Sequence, residues 1–101
     1  MYKLGLSLDF LERGNMDKTE IRKILKNPSK ELVEIALSYV NLTDKEKEVL
    51  ELVEMKGKTE EKTAELLEMS TRNIQYIKKS AFEKLNIVWS YNIFIQTLKR
   101  V

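Results

Sequence analysis

Cysteine and histidine are both absent from the 101-residue chain, and each absence closes off a class of chemistry. Without cysteine there is neither a disulfide framework nor a thiolate zinc site, so apolar burial must stabilise the fold. Without histidine the commonest general base and metal ligand is missing, along with every catalytic triad that uses it. Carboxylates are plentiful but alternate with lysines along the predicted helices, the pattern of a solvated charged face. The expectation is a protein with no catalytic residues, no metal site and no cofactor. Proline occurs once and glycine three times, which leaves little room for linkers. No run approaches the ~18 apolar residues that span a bilayer, and the amino terminus carries no charged-then-apolar leader. A soluble, cytoplasmic protein with no membrane partner is therefore expected.

What is present suits helices. Apolar residues make up 43% and charged residues 34%, enough for one all-α domain with a single principal core at this length. The net charge of +2 hides an uneven distribution. Residues 1–41 carry seven basic and six acidic side chains, residues 42–68 five and nine, and residues 69–101 six and one, giving +1, −4 and +5. A basic last third fits a polyanionic partner such as DNA.

Along the chain, Leu4, Leu6, Leu8 and Phe10 alternate as in a strand, yet Leu4, Leu8 and Leu11 also fit a helical face, so this segment stays open until Gly14 and Asn15. Asp17 with Glu20 is a capping-box signature opening a helix through Ile21, Ile24 and Leu25. Asn27 and Pro28 suit the cap and first turn of the next helix, which carries Leu32, Ile35, Ala36, Tyr39 and Val40 at helical spacing. Thr43 with Glu46 opens a third, carrying Val49, Leu50, Val53 and Met55 inward until Gly57. Thr59 caps a short helix with Ala64 and Leu67 buried. Ser70 caps a longer one whose Ile74, Ile77, Ala81 and Leu85 share a face. The last segment, 87–101, places Ile87, Tyr91, Phe94, Ile95 and Leu98 on one side, with Trp89 and Ile93 roughly opposite.

The expected architecture is thus a compact bundle of about six helices. Residues 1–41 form an extension packing on the core, 42–85 a tri-helical helix-turn-helix, and 86–101 a carboxy-terminal helix used for packing or dimerisation. The middle unit resembles known families in detail. Leu42-Thr43-Asp44-Lys45-Glu46-Lys47-Glu48-Val49-Leu50 is similar to the opening of LuxR-type and sigma factor region four domains, and Gly57-Lys58-Thr59, Ala64, Leu67, Met69-Ser70 and Ile74 fall where those families place their glycine, capping hydroxyl, packing alanine and turn. The run from Ile74 to Leu85 looks more like sigma region four, as does the spacing from Leu50 to Gly57, one residue longer than is usual in LuxR-type domains. Thr63 departs from both, standing where isoleucine or valine is usual; its methyl can be buried if its hydroxyl bonds the preceding turn.

With Ile74, Ile77, Ala81 and Leu85 inward, the opposite face presents Arg72, Gln75, Tyr76, Lys79 and Glu83, with Thr71 and Asn73 at its start. The resemblance to sigma region four selects positions 71, 72, 75 and 76 for base contact. Thr71, Arg72, Asn73, Gln75, Tyr76 and Lys79 are the expected readers of double-stranded DNA. Lys58, Thr59 and Lys62 are the expected phosphate contacts, at the amino end of the short helix. Trp89 and Ile93, lying off the main stripe, are the candidate contacts of a homodimer. The functional expectation is a sequence-specific transcription regulator from a bacterium or phage. The alternative is a protein-binding module that uses the same helices against RNA polymerase or a sigma factor. No receiver domain, ligand-binding domain or sigma region two is expected in this chain.

Overall fold

The structure, a computed structural model, describes residues 16–99; the segment read above between Leu4 and Asn15 lies outside the described residues. It is all helical. In chain order the elements are α1 (Lys18–Leu25), α2 (Lys30–Ser38), α3 (Asp44–Val49) prolonged by a π-helical segment (Leu50–Met55), α4 (Glu60–Leu67), α5 (Thr71–Ser90) and α6 (Ile93–Lys99).

Helix starts follow local side-chain chemistry. Asp17 and Thr43 each accept a hydrogen bond from the backbone N–H three residues on, and Glu20 and Glu46 reach back to the cap N–H, completing both capping boxes. Thr59 and Ser70 cap α4 and α5 in the simpler way. At α2 the cap lies later than expected: Ser29, not Asn27, accepts from Leu32 N. Asn27 instead turns the chain ahead of it, its Oδ1 accepting from Ser29 N at 2.9 Å.

Two apolar cores are strung along α5. The larger joins α1 (Ile21, Ile24, Leu25), α2 (Val33, Ala36, Leu37), Val40, Leu50, the later part of α5 (Ala81, Phe82, Leu85, Trp89) and Ile95 of α6. The smaller is the helix-turn-helix core, with Val49, Ala64 and Ile74 buried and Val53, Leu67, Met69 and Ile77 against them. Neighbouring residues Val49 and Leu50 point into different cores, so the α3–π unit separates them. The start of α5 therefore belongs to the smaller core and its later part to the larger.

Three expectations need correction. The buried stripe of α2 is Val33, Ala36, Leu37 and Val40, whereas Ile35 and Tyr39 are exposed at 44% and 46%. The helix carries two apolar stripes, and spacing alone did not say which one meets the core. Next, no helix begins at residue 86. Leu85 is followed by no glycine or proline, and α5 runs on to Ser90. The break comes at Tyr91–Asn92, where Asn92 Oδ1 accepts from Ile95 N at 3.0 Å and opens α6. Finally, Trp89 is no surface residue: it is fully buried and its Nε1 donates to Ala36 O at 2.8 Å, tying α5 to α2. An indole buried with its one polar atom bonded to backbone has nothing left to offer a second chain. Ile93, 84% exposed, stands apart from it.

The π-helical segment accounts for the long spacing between Leu50 and Gly57. Lys56 N donates to Glu51 O, five residues back, so one extra residue fits inside the helix without displacing the glycine turn. Gly57 then takes a φ of +72°, which frees the chain to reverse into α4.

The turn between α4 and α5 is made without glycine. Glu68 sits in the left-handed region at φ 56°, ψ 48°, with Met69 N donating to Ala64 O at 2.8 Å and Glu68 N to Glu65 O at 3.3 Å. A side chain costs ~1 to 2 kcal/mol in that conformation, and a carboxylate at a helix carboxy terminus faces like charge. Glu68→Gly is therefore expected to stabilise the fold by ~0.5 to 1 kcal/mol, after allowing for the freedom glycine adds to the unfolded chain. Thermal unfolding should show a midpoint a few degrees higher; a lower midpoint would contradict a left-handed turn.

Candidate nucleic-acid interface

The first two turns of α5 project from the smaller core. Ile74 anchors them, fully buried against Val49 and Ala64, and half-buried Ile77 continues the inner face. Opposite lie Arg72, Asn73, Gln75, Tyr76 and Lys79, all exposed, with Tyr76 at 73% and Thr71 half-buried. The six expected readers thus share one end of one helix. Arg72, Tyr76 and Lys79 have no side-chain partner among the described residues. Ser70 caps this helix by accepting from Asn73 N at 3.1 Å, and its first turn holds no acidic residue, so its positive end is uncompensated by carboxylates.

The amino end of α4 differs. Thr59 Oγ1 accepts from Lys62 N at 3.0 Å, and Lys62 Nζ pairs with Glu65 at 3.3 Å. Lys58 is exposed, with no ion pair among the described residues. Glu60 and Glu61 occupy the first turn and already answer the helix dipole. Of the three expected phosphate contacts, Lys58 and the Thr59 hydroxyl hydrogen are the more available. Thr63, the departure noted in the sequence, is fully buried, and its hydroxyl donates to Thr59 O at 2.9 Å.

Behind the reading face runs a chain of charged contacts that sequence reasoning missed. Arg22 Nε of α1 pairs with Glu54 Oε1 at 3.0 Å; Lys78 Nζ lies 3.8 Å from Glu54 Oε2 and 2.6 Å from Glu60 Oε2; Glu60 Oε1 accepts from Gln75 Nε2 at 3.0 Å. Glu54 is buried at 6% exposure inside the π-helical segment. The hydrogen bonds from Lys78 and then Gln75 hold the Glu60 carboxyl below its ordinary range, against an opposing push from burial. It stays an acceptor. A second buried carboxylate, Glu46, meets Lys84 Nζ at 2.9 Å and Ser80 Oγ at 2.8 Å. Glu46, Glu54 and Glu60 correct the expectation of a uniformly solvated acidic face, because their cationic partners come from helices distant in sequence.

Arg22 also lies over the Phe82 ring, 5.4 Å from its centre, beside an open groove between α1 and α5 whose walls include Gln75 and Lys79. Among the described residues no helix is long and apolar enough to cross a membrane.

A family model, that of the luxR family of bacterial regulatory proteins, matches residues 40–89. No curated protein and no solved structure matches the chain. The matched stretch begins just before the capped start of α3 and ends at Trp89, so it takes in both arms of the turn and nearly the whole of α5. With its capped three-helix core, its left-handed turn at Glu68 and its exposed recognition helix, residues 40–89 are a DNA-binding helix-turn-helix domain of the kind found in the luxR family of bacterial regulatory proteins.

Proposed function

We propose that this protein is a sequence-specific transcription regulator that lays the start of α5 in the major groove of double-stranded DNA. The observation that carries the reading is the exposed polar face of Arg72, Gln75, Tyr76 and Lys79 on a helix whose first turn has no acid. Each residue type has a base-reading role: arginine grips guanine, glutamine pairs with adenine, and a thymine methyl can rest against Thr71 or the Tyr76 ring. Thr71 and Asn73 reach bases or adjacent phosphates from the first turn. Lys58, Thr59 and Lys62 hold the backbone from α4, with Lys58 the strongest of the three because it has no internal partner among the described residues.

Selection of bound sites from a random duplex pool tests this. Arg72→Ala and Gln75→Ala are each expected to lose ~1 to 3 kcal/mol of discrimination at one or two base pairs. Lys58→Ala should weaken all sequences alike and flatten the salt dependence by about one phosphate contact. Identical behaviour of the two classes would reject the division into readers and clamp.

A second reading, docking to RNA polymerase or a sigma factor, draws support from exposed apolar side chains at the other end of the molecule: Ile35, Tyr39, Ile87, Tyr91 and Ile93. The same residues, now without Trp89, are what a homodimer would use.

A further inference from the structure

Glu60 stands at the start of α4, outside the reading face, yet it is bonded to the Gln75 carboxamide on that face. Its Oε1 accepts from Gln75 Nε2 at 3.0 Å, and its Oε2 is held by Lys78 Nζ at 2.6 Å, which fixes the carboxylate between two residues of α5. Lys78 is itself anchored on the buried Glu54, whose other oxygen takes Arg22. The carboxylate is thus a seated group rather than a mobile surface side chain, and its side chain is 25% exposed.

We propose that Glu60 is a positioning residue that sets the base preference of Gln75, selecting adenine and rejecting guanine. The inference rests on the reading of Gln75 as a base contact given above. A carboxylate only accepts, so the NH2 end of Gln75 must face Glu60 and its Oε1 must point away; the orientation of the amide follows from the partner's chemistry. One of the two Nε2 hydrogens is consumed. What remains is one donor and one acceptor. Adenine presents N7 as acceptor and N6 as donor, which matches that pair of groups. Guanine presents two acceptors, N7 and O6, and a glutamine can satisfy both only by giving both of its hydrogens, one of which Glu60 already holds. Guanine would then leave its O6 facing Gln75 Oε1, acceptor against acceptor. Glu60 therefore converts a permissive side chain into a selective one without reaching the DNA.

The experiment is site selection from a random duplex pool with the full chain and its variants Gln75→Ala, Glu60→Ala, Glu60→Gln and Glu61→Ala. Gln75→Ala first identifies the base pair that this side chain reads. At that pair Glu60→Ala is expected to reduce the adenine-over-guanine preference from about tenfold or more to near parity, while binding of unrelated duplex holds or rises because a negative charge has gone. Glu60→Gln keeps an oxygen for Gln75 and should retain most of the preference. Glu61→Ala removes the same charge one residue along and should leave the preference intact. Adding Glu60→Ala to Gln75→Ala should change nothing further at that pair. If Gln75→Ala relaxes one position and Glu60→Ala leaves adenine favoured there, the inference is overturned and the reading of Gln75 stands. If Gln75→Ala relaxes no position, the reading falls and the inference with it. Should Glu60→Ala fail to fold, the side-chain amide resonances of Gln75 in the wild-type protein decide: signals displaced from those of a free glutamine that return toward them as Glu60 is protonated support the bond, and free-glutamine signals at neutral pH overturn it.

Discussion

Replacing Trp89 by alanine is expected to cost ~3 to 5 kcal/mol, the range for deleting a large aromatic from a packed core. The ring is fully buried among Ile21, Ala36, Leu85 and Ile95, members of the same core cluster, and its Nε1 bond to Ala36 O links α5 to α2. Truncation removes the apolar contact and strands a carbonyl that has just one other bond, from Tyr39 N at 3.4 Å. A domain of this size holds only ~5 to 15 kcal/mol in total, so the variant should unfold near ambient temperature or lose the docking of α1 and α2. Trp89→Phe keeps most of the volume and should lose ~1 to 2 kcal/mol, chiefly the hydrogen bond. Urea unfolding followed by far-ultraviolet dichroism measures both. Because Trp89 is the sole tryptophan, the wild-type emission gives an independent check: blue-shifted and resistant to soluble quencher while folded. Alanine tolerated at unchanged stability would return Trp89 to the surface and remove the link between the amino-terminal helices and the luxR-family domain.

Acid should weaken the fold through Glu46. Burial, the largest single influence, raises its pKa, but the bonds from Lys84, Thr43 N and Ser80, with the Lys84 charge, outweigh it together and bring the value from 4.5 down to about 2. A carboxyl whose folded pKa lies below its unfolded one binds protons more readily unfolded. Its contribution is therefore complete above about pH 4.5 and disappears as pH falls toward about 2. The full contribution is on the order of 2 to 3 kcal/mol, the lower figure allowing for Lys84, which is 40% exposed and partly screened. Glu46→Gln should be less stable than wild type by that amount at pH 7, with the gap closing by pH 2. A gap that persists unchanged at pH 2 would mean the carboxylate charge contributes nothing.

The parts of the fold that depend on neighbours in sequence were legible there. Four of the five hydroxyl or carboxylate caps, Asp17, Thr43, Thr59 and Ser70, act within three residues of themselves and are found where the sequence placed them, while Ser29 takes the role given to Asn27. The burial of Thr63 was also readable, since its escape route is a bond four residues back. Phase was not. Leu32, Ile35 and Tyr39 make as good a stripe as Val33, Ala36, Leu37 and Val40, and only the position of Trp89 and Ile24 decides between them. The same holds for the end of α5, where the family resemblance stopped at Leu85 but nothing in the backbone chemistry did. Carboxylates are the hardest case, because Glu46 and Lys84 are 38 residues apart and Arg22 and Glu54 are 32, so no window reveals the pairing. The positions of Arg72, Gln75, Tyr76 and Lys79 on one exposed face followed from helical geometry alone once Ile74 was known to be inside. The bond from Gln75 to Glu60 crosses the turn and had no signal in spacing.

Amide chemical shifts recorded while the protein is titrated with a duplex selected from the random pool, or with mixed duplex at low salt if none is enriched, test the central claim most directly. The account predicts that the large changes fall on Ser70 to Lys79 and on Lys58 to Lys62, fade as salt is raised, and leave Val33 to Tyr39 and Tyr91 to Ile93 unmoved. Saturating duplex at low salt with no change in the first two turns of α5, or with changes confined to the apolar end around Ile35, Tyr39 and Ile93, would contradict it.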